Sequence, residues 1–476
     1  MRIINWLDNF IDYFFDSKRS IYIILFITSL IVLPNIGRES LWLDEIFSAI
    51  AAVKTSSLFL MFSEHISRDG SPPLYHILLF YWGKIVGSSD IAIRLLSYIF
   101  TLFGFIFSYL LLIKYFTRRI AIIFLSLSAF TPGVLYFAQE ARMYALLYAL
   151  ACFVSIIFFI FIIRIRDNQQ IEKKLIIYYF FAGVLICYTH HFGSLLIFSL
   201  SSVAIIYSLL LKRITSTITI FFVSFFIGTI AVLWLFFQFY YVNFGNHIQD
   251  VSWVKNNIIG IILNFSTLLA INKYGVVVLI FLLIPFLITL PNFLRSVKIY
   301  IIILLPVLWL FLIAYLISLK TFSISERYLI VTIPLILLFF SFIFNELYND
   351  KKQYILLYLI GLLILSSYKN YTYKKQNWRD ASKYIESNFN SSNCKVPIKA
   401  LSEGSFDRLL FVSYYLGSKY SYSSSGPEIQ DNCDLIYIDG HTNEEGIRKT
   451  LINYNISIPY EILNFSKVYV VIKKRK

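Results

Sequence analysis

Five short polar segments, set between long apolar runs, carry the side chains best suited to chemistry: Leu41-Trp42-Leu43-Asp44-Glu45, Arg68-Asp69-Gly70-Ser71-Pro72-Pro73, Gln139-Glu140-Ala141-Arg142-Met143-Tyr144, His190-His191-Phe192-Gly193 and Ser325-Glu326-Arg327-Tyr328. Asp44 follows an apolar run. A carboxylate beside a low-dielectric boundary tends to hold or take a proton, which suits a general base; the alternative is a cap on a helix over Glu45–Val53. Glu45 reads as a supporting acid in the first helical turn, where the helix dipole favours it. Arg142 with Tyr144, and Arg327 with Tyr328, each open an apolar helix. A guanidinium at that depth is costly unless it pairs or binds an anion, and its planar fork fits phosphate oxygens. The competing partners are Glu140 and Glu326 in the same segments. His190 or His191 with Asp69 or Glu64 could hold a divalent metal. Adjacent histidines point to different faces of a helix, so the alternative is a hydrogen-bonded boundary histidine. Pro72-Pro73 makes a rigid entry to the next helix. His65 and Arg68 are either ligand contacts or solvated loop residues.

Something must hold these segments together, and the composition says what. Of 476 residues 58% are hydrophobic and only 14% charged, and the mean hydropathy is +0.71. The runs Ile21–Pro34, Ile91–Ile113, Ala145–Ile163, Phe192–Leu211, Val276–Leu290, Ile299–Leu319 and Leu329–Phe344 are long enough, or nearly so, to cross a bilayer, which takes about 20 apolar residues. That excludes a soluble globular domain. The first run lacks a small-residue cleavage site and reads as a retained helix. Basic pairs at Lys18/Arg19, Arg118/Arg119, Arg164/Arg166, Lys212/Arg213, Arg295/Lys298 and Lys351/Lys352 mark the cytoplasmic side. About eleven crossings follow, and all five polar segments then fall on the outer face. The scheme requires that Pro72–Gly87 and Asn257–Leu269 lie along or dip into the membrane without crossing. The net charge of +15 is scattered over short loops, so nucleic acid is not an expected partner.

Residues 37–90 form a long outer loop with two short amphipathic helices expected over Glu45–Val53 and Ser57–His65. Tyr240–Asn256 is a second outer loop, with Trp253 as an interfacial anchor. The expected division is a membrane domain over 1–368 and a small extracytoplasmic α/β domain over 369–476. In the latter, Trp378–Phe389 and Glu444–Asn453 read as helices, Asp434–Ile438 and Lys467–Ile472 as strands. Cys394 and Cys433 form a disulfide or stand as two free thiols; Cys152 and Cys187 read as small buried hydrophobes.

Phosphate-loop, dinucleotide and zincin motifs do not occur. In order along the chain, Leu43-Asp44-Glu45, Asp69-Gly70-Ser71-Pro72-Pro73-Leu74-Tyr75, Arg94-Leu95, Ala138-Gln139-Glu140-Ala141-Arg142-Met143-Tyr144, Tyr188-Thr189-His190-His191-Phe192-Gly193, Glu326-Arg327-Tyr328-Leu329 and Trp378-Arg379-Asp380-Ala381 are similar to segments of the GT-C superfamily of membrane glycosyltransferases. The chain resembles the group related to protein O-mannosyltransferases and aminoarabinose transferases. The resemblance implies a glycosyltransferase of the cytoplasmic membrane, using a polyprenyl-phosphate sugar and an acceptor hydroxyl on a glycan, lipid or protein, with inversion at the anomeric carbon. Asp44 would be the base, supported by Glu45, Tyr144 and Tyr328. Arg142, Arg327 and Arg68 would hold the donor phosphate. His65, Glu140, Glu326 and His191 would contact sugar, acceptor or phosphate, and Asp69 with His190 would take any metal. The chain departs from the aminoarabinose-transferase pattern at Gly70-Ser71, where that group carries a charged pair. This argues against a metal site of that type and against lipid A as acceptor. A flippase of lipid-linked sugars, or a polymerase or ligase of a surface glycan, are the alternatives. Charges gathered at one face, without an internal repeat, favour the enzyme over the flippase.

Overall fold

The computed structural model describes residues 2–66, 71–242, 298–319, 325–372 and 374–389, and in the C-terminal part 397–400, 412–417, 420–423, 435–439, 443–453 and 460–473. The calls on Trp253, Asn257–Leu269, Val276–Leu290, Cys394, Cys433, Arg68 and Asp69 lie outside the described residues.

The chain opens with α1 (Arg2–Asp16) and α2 (Ser20–Val32), followed by the short helices α3 (Leu43–Ala49) and α4 (Leu58–Leu60), which continue as π-helical turns over Ile50–Lys54 and Met61–Ile66. These are the two short helices expected in the first long loop. Then come α5 (Leu74–Val86), α6 (Asp90–Tyr115), α7 (Arg118–Phe130), α8 (Pro132–Phe137), α9 (Tyr144–Arg166), α10 (Lys173–Cys187), α11 (His191–Leu210), α12 (Ile214–Val242), α13 (Lys298–Ile301), α14 (Leu305–Ser318), a 3-10 segment Glu326–Thr332 and α15 (Ile333–Thr372). Among the described residues, seven stretches are long and apolar enough to cross a membrane: Asp90–Tyr115, Tyr144–Arg166, His191–Leu210, Ile214–Gln238, Ile299–Ser318, Arg327–Asn349 and Lys352–Thr372. The protein is a multi-pass membrane protein. The other expected crossings among the described residues coincide with shorter helices: α2, α7 continued by α8, and α10. At 13 residues, α5 is likewise shorter than a single crossing needs.

Burial sorts the bundle into core and lipid-facing helices. The spans Arg327–Asn349 and Tyr144–Arg166 are 83% and 78% buried within the protein, whereas Ile214–Gln238 is 17% buried. Without water to expel between helices in lipid, close packing and interhelical hydrogen bonds hold such a core. Both occur here. A Cβ on Gly104 would sit 2.9 Å from the Cα of Ala149, so α6 and α9 touch backbone to backbone there. Tyr179 on α10 meets Ser201 on α11 at 3.1 Å, and Ser224 on α12 donates to Ser201 at 2.7 Å.

α15 folds back on itself. The rings of Phe344 and Tyr358 lie 5.3 Å apart, although 14 residues of straight helix would separate them by about 21 Å. Its last turns approach the end of α8, where Gln139 donates to Asn370 at 2.6 Å. Near its midpoint Tyr348 donates to Asp12 on α1 at 2.8 Å. α15 is therefore two antiparallel spans that turn beside α1, and Arg327 lies at the far end, on the face that carries the first long loop.

After α15 the chain forms α16 (Trp378–Asn388) and, among the described residues, a sheet of five strands in the order β2-β1-β3-β5-β4. Its strands are β1 (Pro397–Ala400), β2 (Ser421–Ser423), β3 (Leu435–Asp439), β4 (Tyr460–Phe465) and β5 (Val468–Lys473). β1 pairs in parallel with β2 and β3, and β5 runs antiparallel to β3 and β4. A two-residue turn with positive φ at Ser466 and Lys467 joins β4 to β5. α17 (Glu444–Asn453) covers the sheet through Ile447 and Leu451, packed on Tyr469 and Val471. Both expected helices and both expected strands are present within a residue or two. The other three strands were not anticipated: β1 and β2 are only four and three residues long, too short to show alternation.

The segment leading into α16 clamps the first loop. Buried Trp378 donates its backbone N–H to Ser40 Oγ at 3.1 Å, and Ser40 donates to the Gln376 carbonyl at 2.7 Å. Arg379 donates to the carbonyls of Gly37 (3.1 Å) and Arg38 (2.8 Å) and pairs with Asp90 at 3.2 Å. Tyr415 bridges the Leu41 N–H and Asp90. Residues 37–42, which lead into α3, are thus pinned from both sides.

Candidate active site

α3 begins where the clamped loop ends, and its first turn presents Asp44 and Glu45 in opposite senses. Glu45 faces inward and is fully buried. Its carboxylate accepts from Arg94 Nε and Nη2, both at 2.7 Å, from the Ala141 N–H at 2.8 Å, from Lys375 Nζ at 3.1 Å and from the Trp42 N–H at 3.3 Å. Arg94 spends its other donors on the carbonyls of Ile36 (3.0 Å), Glu39 (2.6 Å) and Ser40 (2.9 Å). Burial alone would keep Glu45 protonated, but Arg94 and Lys375 outweigh it and hold the carboxyl at about 2. Glu45 is a structural anion that fixes α3 to α6, to the loop before α9 and to the segment before α16.

Asp44 turns the other way. Its Oδ2 pairs with Arg327 Nη1, and its Oδ1 makes no hydrogen bond with any described residue. The pair stays open to the surface, with 22% of the Asp44 and 26% of the Arg327 side chain exposed. The Arg327 guanidinium also lies over the Trp42 ring, 5.0 Å from its centroid, which orients it. Arg327 therefore pairs with Asp44 across 283 residues of chain; the Glu326 backbone lies in the 3-10 turn, and its side chain lies outside the description.

Arg142 stands on the other side of α3. Its Nη1 donates to Ser48 Oγ at 2.9 Å and to the Asp44 carbonyl at 3.3 Å. Ser48 lies one turn after Asp44 and has His76 Nε2 at 3.5 Å. His76, on α5, is fully enclosed, with its Nδ1 unpartnered among the described residues. Burial, with Arg142 and His65 beside it, lowers its pKa to about 3, so it is held neutral. A histidine whose folded pKa lies below its ordinary value contributes stability above pH 6.5 that is lost as the pH falls toward 3. His76→Gln is accordingly expected to flatten the loss of thermal stability on acidification from pH 6.5 to 4, measured by scanning fluorimetry in detergent.

The aromatic and acidic neighbours complete the set. His190 caps α11, its Nδ1 accepting the Phe192 N–H at 3.1 Å, and its ring packs on Tyr328 (4.9 Å) and Tyr144 (6.2 Å). Burial, with the nearby His191, Arg142 and Arg327, keeps it neutral. Glu140 is buried, with Lys375 Nζ 3.9 Å from Oε2. Burial pushes its carboxyl upward against the pull of Lys375, and Glu45 pushes the same way. His65 meets Phe47 edge-on at 6.4 Å, and His191 meets His190 at the same ring separation. Asp44, Glu45, Glu140, Arg142, Tyr144, His190, Arg327 and Tyr328 thus gather at one end of the bundle. Sequence reasoning missed Lys375, Ser48 and His76 as members of the cluster. Only Lys375 had a signal, standing three residues before Trp378-Arg379-Asp380-Ala381.

A metal does not fit the described part. His190 Nδ1 already accepts the Phe192 N–H, aromatic rings surround the imidazole, and no three His, Cys, Asp or Glu side chains converge among the described residues.

No protein-family model matches the chain, and no curated sequence matches it. Solved structures do. The fold is that of the GT-C membrane glycosyltransferases. The likeness in fold covers 96% of this chain and 98% of ArnT from Cupriavidus metallidurans, with a TM-score of 0.58 and 11% identity for the form bound to undecaprenyl phosphate, and 0.56 and 10% for the apo form. The Archaeoglobus fulgidus oligosaccharyltransferase aligns at a TM-score of 0.47 with 12% identity, over 87% of this chain and 64% of that one.

Proposed function

We propose that this protein transfers a sugar from a polyprenyl phosphate to an acceptor hydroxyl at the extracytoplasmic face of the cytoplasmic membrane, with inversion. The observation that carries the reading is the open Asp44–Arg327 pair with Arg142 on the other side of the same helical turn. It supplies one carboxylate oxygen free to take a proton and two guanidiniums that suit a phosphate, on a fold that one relative, ArnT, presents bound to undecaprenyl phosphate. The acceptor oxygen attacks the anomeric carbon, and its proton passes to Asp44 Oδ1. The bond from that carbon to the phosphate oxygen breaks with its electron pair, leaving polyprenyl phosphate beside Arg327 and Arg142. Arg68, outside the described residues, is a further candidate for that phosphate. Because the guanidiniums are preset by Trp42 and Ser48, they stabilise the growing charge without reorganising. Neutral His190, Tyr144 and Tyr328 form the aromatic wall, and Glu140, His65, Glu326 and His191 are the candidates for sugar or acceptor contacts. The sequence supports this side of the membrane through the basic pairs that mark the other one.

The test is transfer of labelled sugar from a panel of polyprenyl-phosphate sugars by purified protein in lipid vesicles. Transfer with release of polyprenyl phosphate is expected. Translocation of the lipid-linked sugar across the vesicle without release would replace the transferase with a flippase.

A further inference from the structure

α1 carries two apolar sectors, and only one of them is used inside the protein. Ile11 and Phe15 are fully buried, Phe15 lying edge-on to Tyr348 at 5.4 Å. Beside them runs an acidic stripe, Asp8, Asp12 and Asp16, one per turn. Asp12 pairs with Lys352 at 2.7 Å and accepts from Tyr348 at 2.8 Å; Asp8 accepts from Gln353 at 3.0 Å. Asp16 pairs with Arg119 at 2.7 Å, and the Asp16 carbonyl accepts from Arg118 at 2.9 Å. These contacts lock α1 against the start of α7 and the fold-back of α15. The second sector, Trp6, Phe10 and Tyr13, follows i, i+4, i+7 spacing and points away from the protein. Trp6 is 67% exposed and stacks on Phe10 at 5.8 Å.

We propose that this sector is a membrane-docking surface, seated in the headgroup–acyl boundary of the leaflet opposite the active site. Three observations identify the occupant as lipid. α2 enters the bundle only four residues after α1 ends, so α1 lies at the level where a span begins. α2, which follows it directly, carries an exposed apolar stripe of its own, Tyr22, Phe26 and Leu30, at the same i, i+4 spacing. Its residues are a tryptophan, a tyrosine and a phenylalanine, whose flat bodies suit the interface. The acidic stripe is taken up by Lys352, Gln353 and Arg119 of the protein, and the helix sequence contains one basic residue, Arg2. Insertion therefore runs on apolar burial, not on attraction to anionic headgroups, which distinguishes α1 from the common basic amphipathic anchor. The consequence is mechanical: α1 ties the fold-back of α15 to the bilayer surface, and the other end of that span carries Arg327.

The experiment compares tryptophan emission of the full-length protein and of Trp6→Phe in vesicles of zwitterionic lipid, brominated either just below the headgroup or near the chain ends. The difference between the two proteins reports Trp6 alone. That difference is expected to be quenched strongly by the shallow bromines, weakly by the deep ones, and equally when anionic lipid is added. Absence of quenching by either lipid would overturn the proposal. Spontaneous disulfide dimers of Phe10→Cys in the same vesicles would also overturn it, making a second copy the occupant. Quenching that appears only with anionic lipid would sink the apolar mechanism.

Discussion

Replacing Arg94 with methionine is expected to cost about 3–5 kcal/mol, the usual result of removing one partner of a buried ion pair, and to leave little folded protein after extraction. Methionine fills much of the volume but leaves the Glu45 carboxylate with Lys375 as its one cation and strips the carbonyls of Ile36, Glu39 and Ser40 of their donor. The loss should appear as a lowered melting temperature and protease sensitivity of residues 36–49. Its pH dependence is the diagnostic. In the parent, Glu45 titrates at about 2, below its ordinary 4.5. It therefore contributes stability above pH 4.5, and this is lost as the pH falls toward 2. With Arg94 gone, burial dominates and the carboxyl titrates above its ordinary value, so the variant should gain stability on acidification where the parent loses it. Adding Glu45→Gln to Arg94→Met removes the stranded charge and should restore a large part of the loss. If Arg94→Met melts like the parent, or the double variant is no better than the single one, the buried pair is not what holds α3.

What could be read from the chain follows from how each feature is encoded. Crossings such as Ile91–Ile113 were legible because twenty apolar residues have few other uses, and Glu444–Asn453 because its period and caps are local. The Asp44–Arg327 pair was legible only as two separate candidates: 283 residues separate them, and the nearer Glu326 was an equally good partner on paper. Glu45 was legible as a supporting acid, but its network was not, since Lys375 comes from a polar segment without periodicity. His76 gave no signal of its own in the sequence; its place beside Ser48, 28 residues earlier, depends on how α5 packs against α3. The fold-back of α15 left a trace in Asp350-Lys351-Lys352, a charged interruption midway through an apolar stretch. The short strands β1 and β2 carry no pattern at all, because three or four residues borrow their conformation from their neighbours.

The other large effect concerns the open pair. On the proposed mechanism, Asp44→Asn should lower transfer about 10²–10⁴-fold, the range for loss of a general base, with binding of polyprenyl phosphate retained. The amide still accepts from Arg327 but cannot take the acceptor proton. Arg327→Ala should cost about 10²–10³-fold, as for an electrostatic donor to developing charge, and should also weaken donor binding, since the guanidinium meets the phosphate before and after the bond breaks. Arg327→Lys should rescue little: an ammonium replaces neither the fork that reaches Asp44 nor the flat face over Trp42. The decisive quantity is the double variant. If Arg327 also orients the Asp44 carboxylate, as their ion pair suggests, the two losses overlap and the double variant should be hardly slower than the worse single one. Multiplying losses would mean that the residues act separately, with Arg327 a phosphate ligand and nothing more. Full activity in Asp44→Asn would remove the base from the mechanism, and the search would move to Glu140, whose buried carboxylate oxygens accept no hydrogen bond among the described residues.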